Sequence, residues 1–360
     1  NRRKKSRTDL PEKELRIGIE KDYDRSLYST PVRRLQDKAQ VFPLDPNDSV
    51  RTRLTHSHEV ATLARNLGRT AGLHLAKENK IDNDDVRIIE FICMTGGLLH
   101  DLGNPPFGHA GEVAIQEWFR EKHCDDHDIK LMQDPQEIAD FINFDGNPQT
   151  FRLLTQLQLL DNKYGLNLTY ATMGASLKYT APSHRIDDTN CASKKAGYFK
   201  SEESIAKEVW EKLGLIERQR HPLTFLIEAA DDIAYSVIDL EDGLKKSVIT
   251  WTQIKSLAEC PEKGCKGFLN ILEKAEHYLN TSDLGLQLSK KHQDDVRAVH
   301  FRTTAMREIV GSVIKAFIEN LDQIERGEIT VPLEELCDMK DVIEFAKNIS
   351  RKHIFGAQNI

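Results

Sequence analysis

Ile88-Ile89-Glu90-Phe91-Ile92-Cys93-Met94-Thr95-Gly96-Gly97-Leu98-Leu99-His100-Asp101 reads as an apolar, nearly uncharged helix ending in an adjacent imidazole and carboxylate. A buried helix that delivers two such groups at its end is costly unless something compensates them. A divalent cation does so, because imidazole and carboxylate are ordinary ligands for Mn, Fe, Zn or Mg. Gly96 and Gly97, one turn before the pair, leave room for another helix to approach closely. The plainer alternative is a histidine interacting with the helix dipole and an aspartate opening the next turn.

Working outward, the upstream segment supplies a second histidine. His56, Val60, Leu63 and Leu67 fall on one helical stripe, while His58, Thr62, Arg65 and Arg69 form a separate polar one. His56 is therefore expected inward, either as a hydrogen-bonded core residue or as a ligand, and His58 toward solvent or a pocket rim. Downstream, Leu226 to Asp239 is another apolar helix interrupted by acids. Asp231, Tyr235 and Asp239 share a stripe at i, i+4 and i+8, and Asp232 lies on the neighbouring one. Buried carboxylates pair with Lys or Arg or ligate metal, so two His and two Asp from three helices make a candidate bundle-core metal site. The loop Gly103-Asn104-Pro105-Pro106-Phe107-Gly108 then leads into a helix bearing His109, with Glu112 three residues on and facing the same way. An imidazole backed by a carboxylate suits proton transfer near neutral pH.

The rest of the chain is also helical in period, with little β-branched alternation. Helices are expected over 50–78, 84–99, 110–122, 135–144, 150–160, 168–178, 202–213, 222–242, 256–279, 294–323 and 332–351. Residues 179–200 form a polar, Lys-rich segment that reads as a long loop, and long loops in compact domains are often functional. The expected fold class is all-α, a helical bundle with additional helices and the metal site in its core. It comprises a basic tail over 1–20, a core over 21–245 and a helical region over 246–360 continuous with that core.

Composition narrows the classes. The 360 residues carry 57 Asp plus Glu against 50 Lys plus Arg, a formal net charge of −7, and 13 His. Mild acidity argues against a protein dedicated to coating DNA. No run approaches the ~18 apolar residues of a spanning helix, so no membrane partner is expected. Arg2, Arg3, Lys4, Lys5 and Arg7 are followed by no apolar segment of a secretory leader. Six cysteines, of which only Cys260 and Cys265 lie close, give neither a disulfide framework nor a zinc pattern. A cytoplasmic setting is expected.

The ordered residues His56, His100-Asp101 and Asp231 resemble the H…HD…D signature of the HD-domain phosphohydrolases. Three longer strings narrow the resemblance: Arg33-Arg34-Leu35-Gln36-Asp37-Lys38-Ala39-Gln40-Val41-Phe42-Pro43, Arg51-Thr52-Arg53-Leu54-Thr55-His56-Ser57, and His100 through Glu112. These are similar to the deoxyguanosinetriphosphate triphosphohydrolases (dGTPases) and related dNTP triphosphohydrolases, over roughly 22–242. The resemblance implies a metal held by His56, His100, Asp101 and Asp231, Mn²⁺ or Mg²⁺ before others. It prefers Asp231 to Asp232 through the family's D-x-x-x-Y-x-x-x-D spacing. It implies that His109 is catalytic with Glu112 as partner, that Gln40 and Val41 lie near sugar and base, that Arg53 and Lys178 contact phosphate, and that Asn104 is a substrate-binding residue. Tyr235 would stack under the deoxyribose, where a 2′-hydroxyl would clash, and Asp239 would position the substrate.

The implied reaction is hydrolysis of dGTP or another dNTP to the deoxynucleoside and inorganic tripolyphosphate. Implied partners are the nucleotide, a homo-oligomer (a hexamer by resemblance) and single-stranded DNA. The rival readings are an HD phosphohydrolase acting on another nucleotide and a non-catalytic, nucleic-acid-binding HD protein. The string D-F-I-S-G-M-T-D that members carry near the C-terminus does not occur up to Ile360, and base selectivity is the property it bears on.

Overall fold

The computed structural model of the chain describes residues 2–3, 16–42, 51–125, 134–158, 163–281 and 289–355. Its backbone contacts divide into two units, Asn1–Ala230 with Asn320–Pro332, and Asp231–Glu319 with Leu333–Ile360. The first contains α1 (Gly18–Leu27), α2 (Thr30–Arg34), α3 (Arg53–Lys77), α4 (Asn83–Leu99), α5 (His109–Asp125), α6 (Pro135–Ile142), α7 (Gly146–Arg152), α8 (Tyr170–Ser176), β1 (Ala181–Pro182), β2 (Ala196–Tyr198), α9 (Glu203–Leu213) and the opening of α10 (Pro222–Lys245). The second contains the rest of α10, then α11 (Trp251–Glu259), α12 (Lys266–Thr281) and α13 (Lys290–Glu319). The short α14 (Leu321–Glu325) returns to the first, and α15 (Leu333–Leu336) and α16 (Lys340–Ile349) complete the second.

The expected all-α class holds, with one two-stranded exception among the described residues, inside the long loop. There Ala181 and Pro182 pair in parallel with Ala196 and Tyr198. Several expected boundaries move, each for a local reason. The helix expected over 256–279 is two, because Pro261 has no N–H to give and holds Cys260 extended (φ −58°, ψ 124°). The helix expected from 150 starts earlier, at Gly146, since the Asp145 carboxylate accepts from the Asn147 N–H and caps it. The helix expected over 294–323 breaks at Asn320, and the one over 332–351 breaks between Leu336 and Lys340. α1 and α2 fall outside the helices expected from periodicity, because both are short and polar. Val50, Leu159 and Leu160, at the ends of expected helices, and Pro43, Lys4, Lys5 and Arg7 lie outside the described residues. Arg2 is anchored, pairing with the buried Asp22 at 2.7 Å, and Arg3 lies 5.1 Å over the Tyr164 ring.

What positions the site is the pairing of α3 with α4. Asp82 caps α4 in a reciprocal box with Asp85, and Thr52 caps α3 with Thr55. The two helices run antiparallel at near-backbone contact. A Cβ on Gly97 would lie 2.8 Å from the Ala61 Cα, and one on Gly68 would lie 2.8 Å from the Cys93 Sγ. On the opposite side of α4, a Cβ on Gly96 would meet Ile227 of α10 at 2.3 Å. The adjacent glycines thus serve two different helices. Below them lies the first unit's core, in which Leu98, Leu99, Leu102, Phe151, Leu154, Tyr198, Val209 and Trp210 are buried together. The second unit has its own aromatic centre, with the Phe268 ring 5.3 Å from Phe301 and 5.0 Å from Phe345.

Gly97→Ala should force α3 from α4 and lower the unfolding midpoint, at a cost of about 1–3 kcal/mol for overpacking. Gly311→Ala, at an exposed helical position with nothing within 4 Å, should instead stabilise by about 0.5–1 kcal/mol. Thermal denaturation of the two variants checks the contrast, which disappears if the close approach is not a constraint.

Candidate metal centre and active site

His56 sits in the first turns of α3 and is 2% exposed. His100 closes α4, and its Nδ1 lies 2.7 Å from the Gly97 carbonyl oxygen. A carbonyl only accepts, so Nδ1 carries the hydrogen and Nε2 keeps the lone pair that a metal requires. The two imidazoles meet edge to face with centroids 5.3 Å apart. Asp101 follows directly, its Oδ1 3.6 Å from His100 Nε2. One ligand atom from each of His56, His100 and Asp101 can be chosen so that all lie within 4.8 Å of one another. Donors about 2.0–2.2 Å from an ion are separated by at most about 4.4 Å when they stand opposite, so a small inward adjustment suffices. Nitrogen and carboxylate donors, held at a helix end by a hydrogen-bonded imidazole, fit a divalent first-row ion or Mg²⁺.

Asp101 is tied on both oxygens. Oδ2 accepts from Arg53 Nη1, and Oδ1 accepts from Asn104 Nδ2 at 2.6 Å. Asn104 in turn accepts from Lys38 Nζ at 2.6 Å through its backbone carbonyl. Arg53, Asn104 and Asp101 are therefore one network. Lys38, within the string Arg33 to Pro43, belongs to it as well, through a contact to a backbone oxygen that residue spacing does not signal. Gln40 is half-buried and Val41 buried, beside the antiparallel bridge of Ala39 with Thr52 at the start of α3. Lys178 Nζ lies 3.9 Å from Glu228 and over the Tyr179 ring at 5.9 Å. Glu228 is held mainly by Arg220, a 3% exposed guanidinium that bonds it at 2.6 Å and reaches the Lys178 carbonyl at 2.9 Å. Nothing in the spacing of Arg220 marked it, because its partners are brought together by the tertiary fold.

His109 opens α5 after a loop in which Phe107 takes a left-handed backbone (φ +64°), an unusual state for an aromatic residue. Its Nδ1 lies 2.6 Å from Glu112 Oε2, and Glu112 Oε1 accepts from the Gly146 N–H at 2.9 Å. The carboxylate is buried and fixed from two sides, whereas the imidazole is 85% exposed. Glu112's hydrogen bond raises the His109 pKa above its ordinary value, against partial burial and the nearby Lys195.

The remaining expected residues lie in the second unit. Asp231 and Tyr235 are half-buried on α10, and Asp239 is buried. The Tyr235 ring stacks on Phe355 at 5.5 Å and 18°. Its hydroxyl pKa is raised, by burial first and by Asp239 second. Asp232 is paired with Lys347 at 2.8 Å.

Residues 53–135 match the family described as the HD domain, a span that contains His56, His100, Asp101, His109 and Glu112. The fold and site thus define an HD-domain protein. Among its relatives, a protein of Listeria innocua is 36% identical over 374 residues, covering 100% of this chain and 77% of its own length. One of Synechocystis is 35% identical, covering 96% of this chain and 76% of its own length. A third, of Pseudomonas aeruginosa, is 34% identical, covering 94% and 74%. All three carry the name deoxyguanosinetriphosphate triphosphohydrolase-like protein. The chain belongs to this dGTP triphosphohydrolase-like family of HD phosphohydrolases, and is a metal-dependent phosphohydrolase. No helix among the described residues is long and apolar enough to cross a membrane.

The raised pKa gives a signed prediction. The protonated His109 imidazole is favoured in the fold, so its contribution to stability is present below the unfolded value of ~6.5. That contribution is lost as the pH rises through the folded value. Glu112→Gln keeps an oxygen for the Gly146 N–H but removes the charge, so the His109 titration should move to lower pH. Histidine proton NMR of the two forms reads this directly, and an unmoved titration would refute the pairing.

Proposed function

We propose that the enzyme hydrolyses a deoxynucleoside triphosphate, dGTP before others, to the deoxynucleoside and inorganic tripolyphosphate, with Mn²⁺ or Mg²⁺ as its ion. The observation that carries this reading is the cluster of the buried His56 with the half-buried His100 and Asp101, followed at once by the His109–Glu112 pair. The relatives' names supply the substrate class. His56, His100 and Asp101 hold the metal, and Asp231 is the fourth ligand on the strength of its D-x-x-x-Y-x-x-x-D string. When bound, the ion supplies Lewis-acid polarisation of phosphorus and a lowered pKa for water.

The chain's own residues perform the remaining tasks. The bond between the 5′-oxygen and the α-phosphorus breaks, the hydroxyl of water goes to phosphorus, and the second proton of that water passes to solvent, from which His109 is reprotonated. The departing 5′-oxygen takes its proton from His109 Nε2, while Glu112 holds Nδ1 and keeps the ring protonated. Arg53 and Lys178 bind the phosphates and Asn104 belongs to the same substrate site, with Arg53 able to exchange Asp101 for a phosphate oxygen because carboxylate and phosphate are both anionic acceptors that suit a guanidinium. Gln40, Val41, Tyr235 and Asp239 take the deoxyribose and base.

Purified protein supplied with Mn²⁺ and each dNTP should release tripolyphosphate, read by ion chromatography, with dGTP turned over fastest. Pyrophosphate or single phosphate as the product would overturn the bond assignment. His56→Ala should lose metal on equilibrium dialysis. His109→Ala should keep the metal and lose roughly 10²–10⁴-fold in kcat, the usual weight of general acid catalysis. Full activity in His109→Ala would remove it from the mechanism.

A further inference from the structure

Beside the ligand cluster the first unit holds a second feature, a cavity of about 480 Å³. That volume lies within the ~300–1,000 Å³ of small-molecule sites. Arg34 of α2, Lys38, the turn of Gly103 and Asn104, and Gln149 of α7 contribute to its wall. The turn is the one that follows Asp101, so the cavity adjoins the network described above without containing a metal ligand.

The charges on this wall are unbalanced. The exposed Arg34 guanidinium has no carboxylate partner among the described residues. Its neighbour Arg33, by contrast, turns back to the Thr30 hydroxyl at 3.1 Å and does not line the cavity. Lys38 donates to the Asn104 carbonyl, a neutral acceptor. Asp101, whose charge favours the Lys38 ammonium, is already engaged by Arg53. Burial, then Arg53, and to a lesser degree Arg34, hold the Lys38 pKa below that of an ordinary lysine. Two like charges are thus held toward one space with no carboxylate among the described residues that line it, and the Gln149 amide adds a neutral donor. A multiply charged anion with several acceptor oxygens relieves that repulsion and uses all three groups.

We propose that this cavity is an oligophosphate-binding subsite in which Arg34 and Lys38 receive the anion. The oligophosphate has two sources, the tripolyphosphate end of a nucleotide at the adjoining metal centre or a separate phosphorylated small molecule. The proposal stands on the cavity and its charges rather than on the reaction proposed above.

The test uses the full chain and inorganic tripolyphosphate in isothermal titration calorimetry, once with EDTA and once with Mn²⁺. Arg34→Gln should weaken binding by roughly tenfold, the loss expected for a charge-assisted contact. Arg34→Lys should recover part of it. Arg33→Gln, which removes the same charge one residue away, should leave the affinity within about twofold of the parent. Arg34-dependent binding that persists in EDTA and in His56→Ala identifies a separate ligand. Arg34-dependent binding that requires Mn²⁺ identifies the leaving tripolyphosphate, and both results support the subsite. No binding by the parent chain, or equal affinities in the parent and Arg34→Gln, overturns it, as does equal weakening by Arg33→Gln. Tripolyphosphate release from dNTPs without any Arg34-dependent binding defeats the subsite alone. Arg34-dependent binding without hydrolysis defeats the reaction alone.

Discussion

The near-backbone contact of α3 with α4 is the constraint from which the site follows. Ala61 against Gly97 and Gly68 against Cys93 set the helices closer than larger side chains would allow. Packing at that distance leaves no slack for either helix to slide, because interiors are filled to crystal-like density. His56, one turn before Ala61, is thereby fixed opposite His100, one turn after Gly97. The imidazole pair is a product of helix spacing, and no loop has to hold it. Sites built on regular elements keep their geometry better than sites built on loops.

From that fixed pair the electrostatics build outward. The Gly97 carbonyl sets the His100 tautomer, so the same residue that permits close packing also orients the ligand nitrogen. Asp101, the next residue, is the junction of a polar chain running through Arg53 on one oxygen and Asn104 on the other. Arg53 is the first residue of α3 and Asn104 lies in the loop after α4, so the ion pair closes one end of the helix hairpin. Removing Arg53 would leave a half-buried carboxylate whose charge only a cation could balance.

The sequence carried this geometry unevenly. Helical period and the small residues near His100 sufficed for the class and for bringing His56, His100 and Asp101 together, because a helix fixes side-chain direction from spacing alone. The His109 to Glu112 contact was legible for the same reason, being i to i+3 on one helix. The strand pair inside 179–200 was not, since two or three residues give no alternation to detect. Arg220, Glu228 and Lys178 were not legible as a group, because two of the three contacts depend on chain reversals that no local pattern records. Lys38 was present in a quoted string, yet its role lies in one contact to a backbone oxygen, which has no side-chain signature.

The contrast between His109 and its partner bears on the acid role proposed for it. A fully buried imidazole would resist protonation, as burial alone pushes His221 down to about 4. His109, with its ring largely exposed, carries a penalty that the Glu112 hydrogen bond outweighs, while its carboxylate partner is buried and bonded to the Gly146 N–H. Placing the desolvation on Glu112 strengthens the pair's attraction where water is excluded, and leaves Nε2 open toward a substrate. The left-handed Phe107 and the prolines before it belong to the same arrangement, since a loop free to relax would swing the imidazole away from its carboxylate. A stiff loop, a fixed carboxylate and an open nitrogen are together what a proton donor needs before any substrate arrives.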